Sequence, residues 1–235
     1  MQELLAELQS LGSEEKAAGA ARFFKTGKGE YGEGDVFLGV SVPDQRKLAG
    51  KYRDMLSLDD LAVMLDSRLH EVRLTAVFIL VEKFRLAQTE EERQAVVNAY
   101  LDNLHGTNNW DLVDSSAHKI LGPWLAERDR SLLYEMAGSG KLWQQRIAVI
   151  TTFHFIRQRQ YDDTLKLAVL LMSHPHDLIH KAVGWMLREV GKQDYQVEFD
   201  FLKAYYQEMP RTMLRYAIER FDPETRQMFL KGEVK

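Results

Sequence analysis

Two short segments of this chain combine an aromatic side chain with groups that could act on a cation. They are residues 108–115, Asn-Asn-Trp-Asp-Leu-Val-Asp-Ser, and residues 184–189, Gly-Trp-Met-Leu-Arg-Glu. Trp110 and Asp114 are four positions apart, so on a helix they share one face. An indole beside a carboxylate suits a cation, or a sugar that becomes one during a reaction. The spacing therefore predicts a catalytic site in which Asp114 is the working carboxylate.

Each of these residues also has an ordinary structural explanation. Large aromatic side chains at helical spacing usually belong to the core, and a single aspartate usually caps or pairs with a neighbour. Trp185 lies at the edge of an apolar stripe that already supplies a core face, which favours a functional role. Asp111 competes with Asp114 for the catalytic role, but it points to a different face from Trp110.

Positive charge is concentrated in one stretch, although the net charge of the whole chain is −4. Residues 139–192 carry eight Lys or Arg against four acidic residues, which gives that stretch a net charge of +4. A local basic surface can bind phosphates in an acidic protein, while an ordinary solvated helix surface explains the same count. Arg146 precedes a buried run, so we expect it to bind phosphate or to form a salt bridge with Asp111 or Asp114.

The composition excludes several classes of chemistry. The 235 residues include no cysteine, which rules out disulfides, thiolate catalysis and cysteine-based metal sites. No apolar run reaches transmembrane length and the N-terminus is acidic, so we expect a cytoplasmic protein with no membrane partner. The G-x-G-x-x-G at residues 27–32 follows no strand, so we expect no dinucleotide cofactor. His176 and His180 lack further ligands with an evident place, so we expect no metal site.

The elements that must position these residues are all predicted to be helices. Apolar side chains recur with helical spacing in almost every segment, and no alternating strand pattern is found. Ser13, Ser57 and Thr89 each precede acidic residues, as capping residues at helix starts do. Four prolines fit helix beginnings: Pro43, Pro175, Pro210 and Pro223. Pro123 is expected to kink or end a helix. The predicted fold class is all-α.

The helices also repeat with a regular spacing. Four similar segments carry a polar residue at equivalent places, at steps of 38, 35 and 35 residues: Arg73, Asp111, Arg146 and Lys181. A period of this size, carried by antiparallel helix pairs, predicts one curved HEAT-like solenoid domain over residues 1–235. Its basic residues would then form a stripe along a concave groove. An irregular helical bundle is the alternative.

Several segments, taken together and in order, resemble the AlkD-type alkylpurine DNA glycosylases, the bacterial DNA alkylation repair proteins built from HEAT-like repeats. The similarity runs over most of the chain, from about Phe24 to near Arg220. It is carried by residues 24–35, residues 37–40 with Pro43 and Arg46, and residues 110–114, 143–146 and 181–189.

The resemblance implies a reaction and a set of residues. In that family an aspartate and two tryptophans line the catalytic cleft, and by position they are similar to Asp114, Trp110 and Trp185. The family cleaves the N-glycosidic bond of cationic N3- and N7-alkylpurines in duplex DNA without a base-flipping pocket, and it needs no metal or cofactor. The phosphate-binding residues would be Arg146, Lys181, Arg188 and Arg46. We therefore expect a monomeric, monofunctional glycosylase at the bacterial nucleoid, acting on double-stranded DNA that contains alkylated purines.

Two features depart from the family pattern. The overall charge is acidic, and Asn109 stands before Trp110, where relatives can carry a second aromatic residue. The alternative functions are a non-catalytic HEAT-like module that binds DNA or protein, and a scaffold whose concave face binds an acidic helix. The presence of Trp110, Asp114, Arg146 and Trp185 together favours the enzyme.

Overall fold

A computed structural model describes residues 1–234 of the chain. Within these residues the backbone forms fourteen α-helices and two 3₁₀-helices, and it contains no β-strand beyond an isolated bridge between Val36 and Leu69. The all-α fold class is therefore confirmed. None of the helices in this part of the chain is both long and apolar enough to cross a membrane.

The α-helices are α1 (Gln2–Ser10), α2 (Glu14–Phe23), α3 (Val42–Tyr52), α4 (Leu58–Leu65), α5 (His70–Leu86), α6 (Glu90–Asp102), α7 (Trp110–Leu125), α8 (Ser131–Gly138), α9 (Leu142–Arg157), α10 (Asp162–Leu170), α11 (Asp177–Gln193), α12 (Tyr195–Tyr205), α13 (Arg211–Ala217) and α14 (Pro223–Lys231). The 3₁₀-helices are Leu104–Gly106 and Ile218–Arg220.

Helix starts lie where the capping residues predict them. The Ser13 hydroxyl accepts a hydrogen bond from a backbone N–H in the first turn of α2. Ser57 and Thr89 form capping boxes with Asp60 and Glu92 at the starts of α4 and α6. Each side chain satisfies an N–H that the first turn leaves without a helical partner. These three local predictions are confirmed.

The prolines also lie where the sequence predicts a helix boundary. Pro43 and Pro223 are in the first turns of α3 and α14, and Pro210 is the N-cap of α13. Pro123 lies inside α7, which ends two residues later at Leu125. The ring of a proline removes a helical hydrogen bond, which explains the early end.

The chain divides into two compact units, Met1–Ser116 and Ala117–Lys235. In the first unit, α3, α4 and α6 each pack against α5. In the second unit, α11 packs against α9, α10, α12 and α13, while α8 packs against α9. The single domain over residues 1–235, its curvature and its basic groove stay predictions.

The repeated positions fall on alternate helices, as predicted: Arg73 on α5, Asp111 on α7, Arg146 on α9 and Lys181 on α11. Arg73, however, does not belong to an exposed basic stripe. It is buried, and its guanidinium donates to the carbonyl of Ser67 and to the carboxylate of Asp35. The predicted stripe is wrong at this position, because a buried guanidinium is retained only where acceptors surround it.

Close packing of α11 on α13 depends on Gly184. A Cβ atom at this position would lie 2.4 Å from the carbonyl oxygen of Met213 and 2.6 Å from the Cβ of Tyr216. Both distances are far below ordinary contact, so α13 would have to move away from α11. Because Gly184 directly precedes Trp185, the same close approach fixes the part of α11 that carries the indole.

Gly184→Ala is expected to lower the free energy of unfolding by about 1–3 kcal/mol, because the cost of overpacking exceeds the helix propensity gained. The matched control is Gly50→Ala in α3, where an added Cβ meets no atom within 4 Å. That control should raise the same quantity by about 0.5–1 kcal/mol. Denaturant unfolding followed by circular dichroism measures both, and equal stability of Gly184→Ala and wild type would contradict this packing.

Candidate functional site

Trp110, at the start of α7, is held in a stack of aromatic rings. Its ring lies 5.2 Å from that of Phe24, with 15° between the planes. Phe24 stacks on Phe37 at 5.1 Å, and Phe37 stacks on the imidazole of His70 at 4.6 Å. Phe23 meets the indole edge-on at 5.8 Å. These are favourable aromatic geometries, and they hold the indole against Phe23 and Phe24.

Two of these rings come from the α2–α3 connection (residues 24–41), which a buried carboxylate holds in place. Glu71, in the first turn of α5, accepts hydrogen bonds from the backbone N–H groups of Leu38, Gly39 and Val40 at 2.9, 2.8 and 3.3 Å. Three donors replace the water that the buried carboxylate has lost. The connection therefore has a fixed conformation where it carries Phe37 against the stack.

A second buried carboxylate, Asp35, lies beside the stack. Its side chain is 5% exposed. It accepts hydrogen bonds from Nη2 of Arg73 at 2.7 Å and from Nδ1 of His70 at 3.1 Å. A third hydrogen bond comes from Nδ2 of Asn109 at 3.2 Å. The other ring nitrogen of His70, Nε2, lies 2.8 Å from Oδ2 of Asp111. An ionised carboxylate only accepts hydrogen bonds, so a ring placed between two of them favours the imidazolium, which can donate from both nitrogens.

The contacts shift the pKa values of Asp35 and His70 in opposite directions. Burial acts to raise the pKa of Asp35, but the hydrogen bonds from His70 and Asn109 and the charge of Arg73 outweigh it and hold the pKa below its usual value. Burial acts to lower the pKa of His70, but the hydrogen bonds to Asp111 and Asp35 outweigh it and raise the pKa above its usual value. Both shifts favour the charged form, the imidazolium of His70 and the carboxylate of Asp35.

The residues directly before and after Trp110 both form hydrogen bonds with this group of charged side chains. The side chain of Asn109 donates to Asp35, and its Oδ1 accepts the N–H of Trp110 at 2.8 Å. Asp111 receives the His70 hydrogen bond on the other side. The prediction that Asp111 faces away from the face of Trp110 agrees with this contact. The position of the indole is thus set by its two chain neighbours as well as by the stack.

Asp114 lies one turn after Trp110 on α7 and is half-buried. Burial raises the pKa of the Tyr100 hydroxyl above its usual value. The hydrogen bond with Ser116 opposes this rise, and the charge of Asp114 adds to it. The shared helix and the spacing of Trp110 and Asp114 are as the sequence predicts. The catalytic role of Asp114 stays a prediction.

Trp185, in the second unit, is also half-buried and is held differently. Its Nε1 donates to Oε1 of Glu189 at 2.9 Å, one turn later on α11. The same oxygen accepts from Nζ of Lys192 at 2.6 Å. The ring lies 5.9 Å from that of Phe153. The indole N–H is therefore satisfied within the protein and needs no partner from a ligand.

The predicted phosphate-binding arginines of α3 and α9 have different surroundings. Arg46 is exposed, and its guanidinium carbon lies 4.0 Å from the centroid of the Phe78 ring. Arg146 is buried, and its Nη1 donates to the carbonyl oxygen of Leu178 at 2.6 Å. Arg146 therefore joins α9 to the start of α11, and phosphate binding by this residue stays a prediction.

The two predicted phosphate-binding residues of α11 contact acidic side chains. Nζ of Lys181 lies 2.7 Å from the Asp177 carboxylate, one turn earlier. Arg188 contacts Glu219 and lies 3.8 Å from Glu189. Partly exposed ion pairs contribute little to stability, so a phosphate can compete for such cations at small cost. Their role in binding also stays a prediction.

Sequence reasoning missed His70 as part of this site. Asp35, Phe24 and Phe37 entered only as members of the segments that carry the resemblance, with no role assigned to them. One signal was available, because Asn109 and Asp111 place a polar group on each side of Trp110 at the start of a helix. Within residues 1–234, no group of three or more histidine, aspartate or glutamate side chains is arranged to hold a metal ion.

Comparison with known proteins identifies the family of this chain. A family model described as DNA alkylation repair enzyme matches residues 4–221. A solved structure described as a predicted DNA alkylation repair enzyme from Enterococcus faecalis has a TM-score of 0.68 and 19% sequence identity, and the match covers 90% of this chain and 97% of that one. At this identity the likeness shows a shared fold. Curated protein sequences gave no significant match. Because the family model covers nearly the whole chain, this protein belongs to the DNA alkylation repair enzyme family.

Proposed function

We propose that this protein is a monofunctional DNA glycosylase that hydrolyses the N-glycosidic bond of cationic N3- and N7-alkylpurines in duplex DNA. The family supports a role in DNA repair. The observation that carries the finer proposal is the arrangement on α7, where Trp110 is fixed by stacking on Phe24 and Asp114 follows one turn later. This pairing suits a cation that forms beside the helix.

The proposed reaction starts from a base that is already a good leaving group. When the C1′–N bond breaks, both electrons go to the purine and neutralise its positive charge, so no strong general acid is needed. The deoxyribose becomes an oxocarbenium ion. Water then adds its oxygen to C1′ and releases a proton, which leaves a free alkylpurine and an abasic site. Because water and not a lysine amine attacks C1′, no Schiff base forms and the DNA strand stays intact.

In this proposal Asp114 stabilises the oxocarbenium ion and orients the attacking water. In this role Asp114 acts as an ionised carboxylate, whose negative charge opposes the positive charge that develops on the sugar. The indole face of Trp110 favours the same cation by roughly 0.5–2 kcal/mol. Trp185, whose N–H is already bonded to Glu189, is proposed as a second indole face. Stabilisation of a charge that exists only in the transition state raises the rate.

The partner in this proposal is double-stranded DNA. Its phosphates would be bound by Arg46, Arg146, Lys181 and Arg188. We propose a monomer that acts at the bacterial nucleoid in the cytoplasm, and that needs neither a metal nor a cofactor. Binding through phosphates releases counterions, so affinity should fall steeply as salt rises.

The wild-type protein is expected to release 7-methylguanine and 3-methyladenine from methylated duplex DNA in EDTA, and to leave alkali-labile abasic sites. Asp114→Asn should lower the single-turnover rate by roughly 10²–10³-fold, because it removes the charge opposite the developing cation. The control is Asp102→Asn, which changes an exposed aspartate at the end of α6. Circular dichroism checks that both variants fold as wild type.

Unchanged excision by Asp114→Asn would contradict the proposed mechanism. If the folded wild type released neither methylated base nor a bulky cationic adduct, while still binding duplex DNA, the non-catalytic module would be correct. Strand cleavage without alkali would contradict the monofunctional reaction.

Arg46→Ala is expected to weaken duplex binding and to reduce the slope of log affinity against log salt by about 0.9, which is the loss of one phosphate contact. The excision rate of bound substrate should change little. Arg85→Ala is the matched control, since Arg85 is exposed on the same unit and is paired with Glu82 at 2.7 Å. Fluorescence anisotropy across a salt series measures both, and equal slopes for Arg46→Ala and wild type would exclude Arg46 from the interface.

A further inference from the structure

The charges around His70 connect a buried histidine to the candidate site. We propose that His70 is a positioning residue, an imidazolium that joins Asp35 of the α2–α3 connection to Asp111 of α7 and thereby fixes Trp110 for the reaction. The inference rests on the glycosylase function proposed above. His70 acts through Trp110 and takes no part in bond cleavage itself.

Both ring nitrogens of His70 lie within hydrogen-bond distance of carboxylates, and two phenylalanine rings pack against the imidazole. The residue is 2% exposed. Nδ1 lies 3.1 Å from Asp35 and Nε2 lies 2.8 Å from Asp111. Phe37 stacks on the imidazole, and Phe24 lies 4.8 Å from it at 39°. A histidine held in this way has no freedom to reorient, so its protonation state decides which contacts it makes.

Two routes lead from His70 to Trp110. Asp111 directly follows Trp110 in the first turn of α7, so the bond to His70 holds the backbone that carries the indole. Phe24 lies against both rings, so it transmits the position of one to the other. Loss of the His70 bond to Asp111 therefore loosens the indole without removing any group that meets the substrate.

The charged groups that face His70 come from every element around it. The connection supplies Asp35, and α7 supplies Asp111. Its own helix supplies Arg73, paired with Asp35, and Glu71, whose carboxylate is occupied by backbone N–H groups. From α2, Lys16 lines a cavity of about 170 Å³ that His70 and Asp111 also line. The two carboxylates that touch the ring are thus balanced by His70 itself and by Arg73.

Deprotonation ends the bridge through His70. A neutral imidazole has a single N–H, so it can donate to only one carboxylate. The ring then no longer donates to both Asp35 of the connection and Asp111 of α7. Loss of either bond breaks the link through His70 between these two elements.

The direction of the pH effect follows from the raised pKa of His70. The stabilisation that the charged His70 gives the folded protein is fully present below the pKa that His70 has in the unfolded chain. This stabilisation is lost as the pH rises through the higher folded-state pKa. The excision step should weaken in the same window, on the alkaline side of the ordinary histidine range.

The test is the single-turnover excision rate as a function of pH for wild type and His70→Asn, each with saturating enzyme and with spontaneous base loss subtracted. The wild-type rate should fall as the pH rises through the folded-state pKa of His70. His70→Asn should be slower by roughly 10–100-fold at neutral pH, as expected for a misplaced catalytic group, and should lack that pH-dependent fall. Duplex affinity should stay close to wild type.

The matched control is His105→Asn. His105 also contacts an aspartate, Asp66, but the side chains of both residues are more than half exposed to solvent. Its rate and pH profile should equal those of wild type. If His70→Asn fails to fold, Asp111→Asn tests the link from its other end, because it keeps the shape of the side chain and removes its charge.

Nitrogen NMR of the histidine rings supplies a measurement that is independent of activity. His70 should carry hydrogen on both ring nitrogens at neutral pH, and a neutral His70 ring would overturn the bridge. Wild-type excision with an unaffected rate and pH profile in folded His70→Asn would overturn the positioning role alone. Absence of excision by wild type would overturn the proposed function and, with it, the role of His70 in a reaction.

Discussion

A carboxylate that has been removed from water must find its hydrogen bonds inside the protein, and the first unit is arranged around that requirement at Asp35. Its donors come from distant parts of the chain. Arg73 and His70 lie on α5, and Asn109 precedes α7. Satisfying one buried charge therefore brings the α2–α3 connection, α5 and the first turn of α7 together. These are the elements that hold Trp110.

The features that the sequence predicted well are local. The capping residues Ser13, Ser57 and Thr89 act over three positions. The repeat appears as similar segments at steps of 38, 35 and 35 residues, so it too is visible without tertiary structure. The network around Asp35 is different, because Asn109 lies 74 positions from the carboxylate it contacts. Arg73 shows the same limit, since its repeated position predicted a basic surface and its real partner is a distant aspartate.

Asn109 has a structural role that its place before Trp110 did not reveal. Its amide both donates to Asp35 and accepts the N–H of Trp110. A phenylalanine at this position could do neither, and Asp35 would lose a donor. The two candidate indoles are thus held by different means. Stacking and neighbouring polar groups hold Trp110, and a hydrogen bond to Glu189 holds Trp185.

The balance of two acids and two cations also restricts how this sequence can diverge. Asp35, His70, Arg73 and Asp111 are sparingly exposed and neutralise one another. Replacing one of them strands a charge in the interior, which costs more than the absence of the whole set. Stepwise replacement of these residues by uncharged ones must therefore pass through sequences whose folded state is less stable. During evolution these four residues are therefore expected to be retained together or to be replaced together.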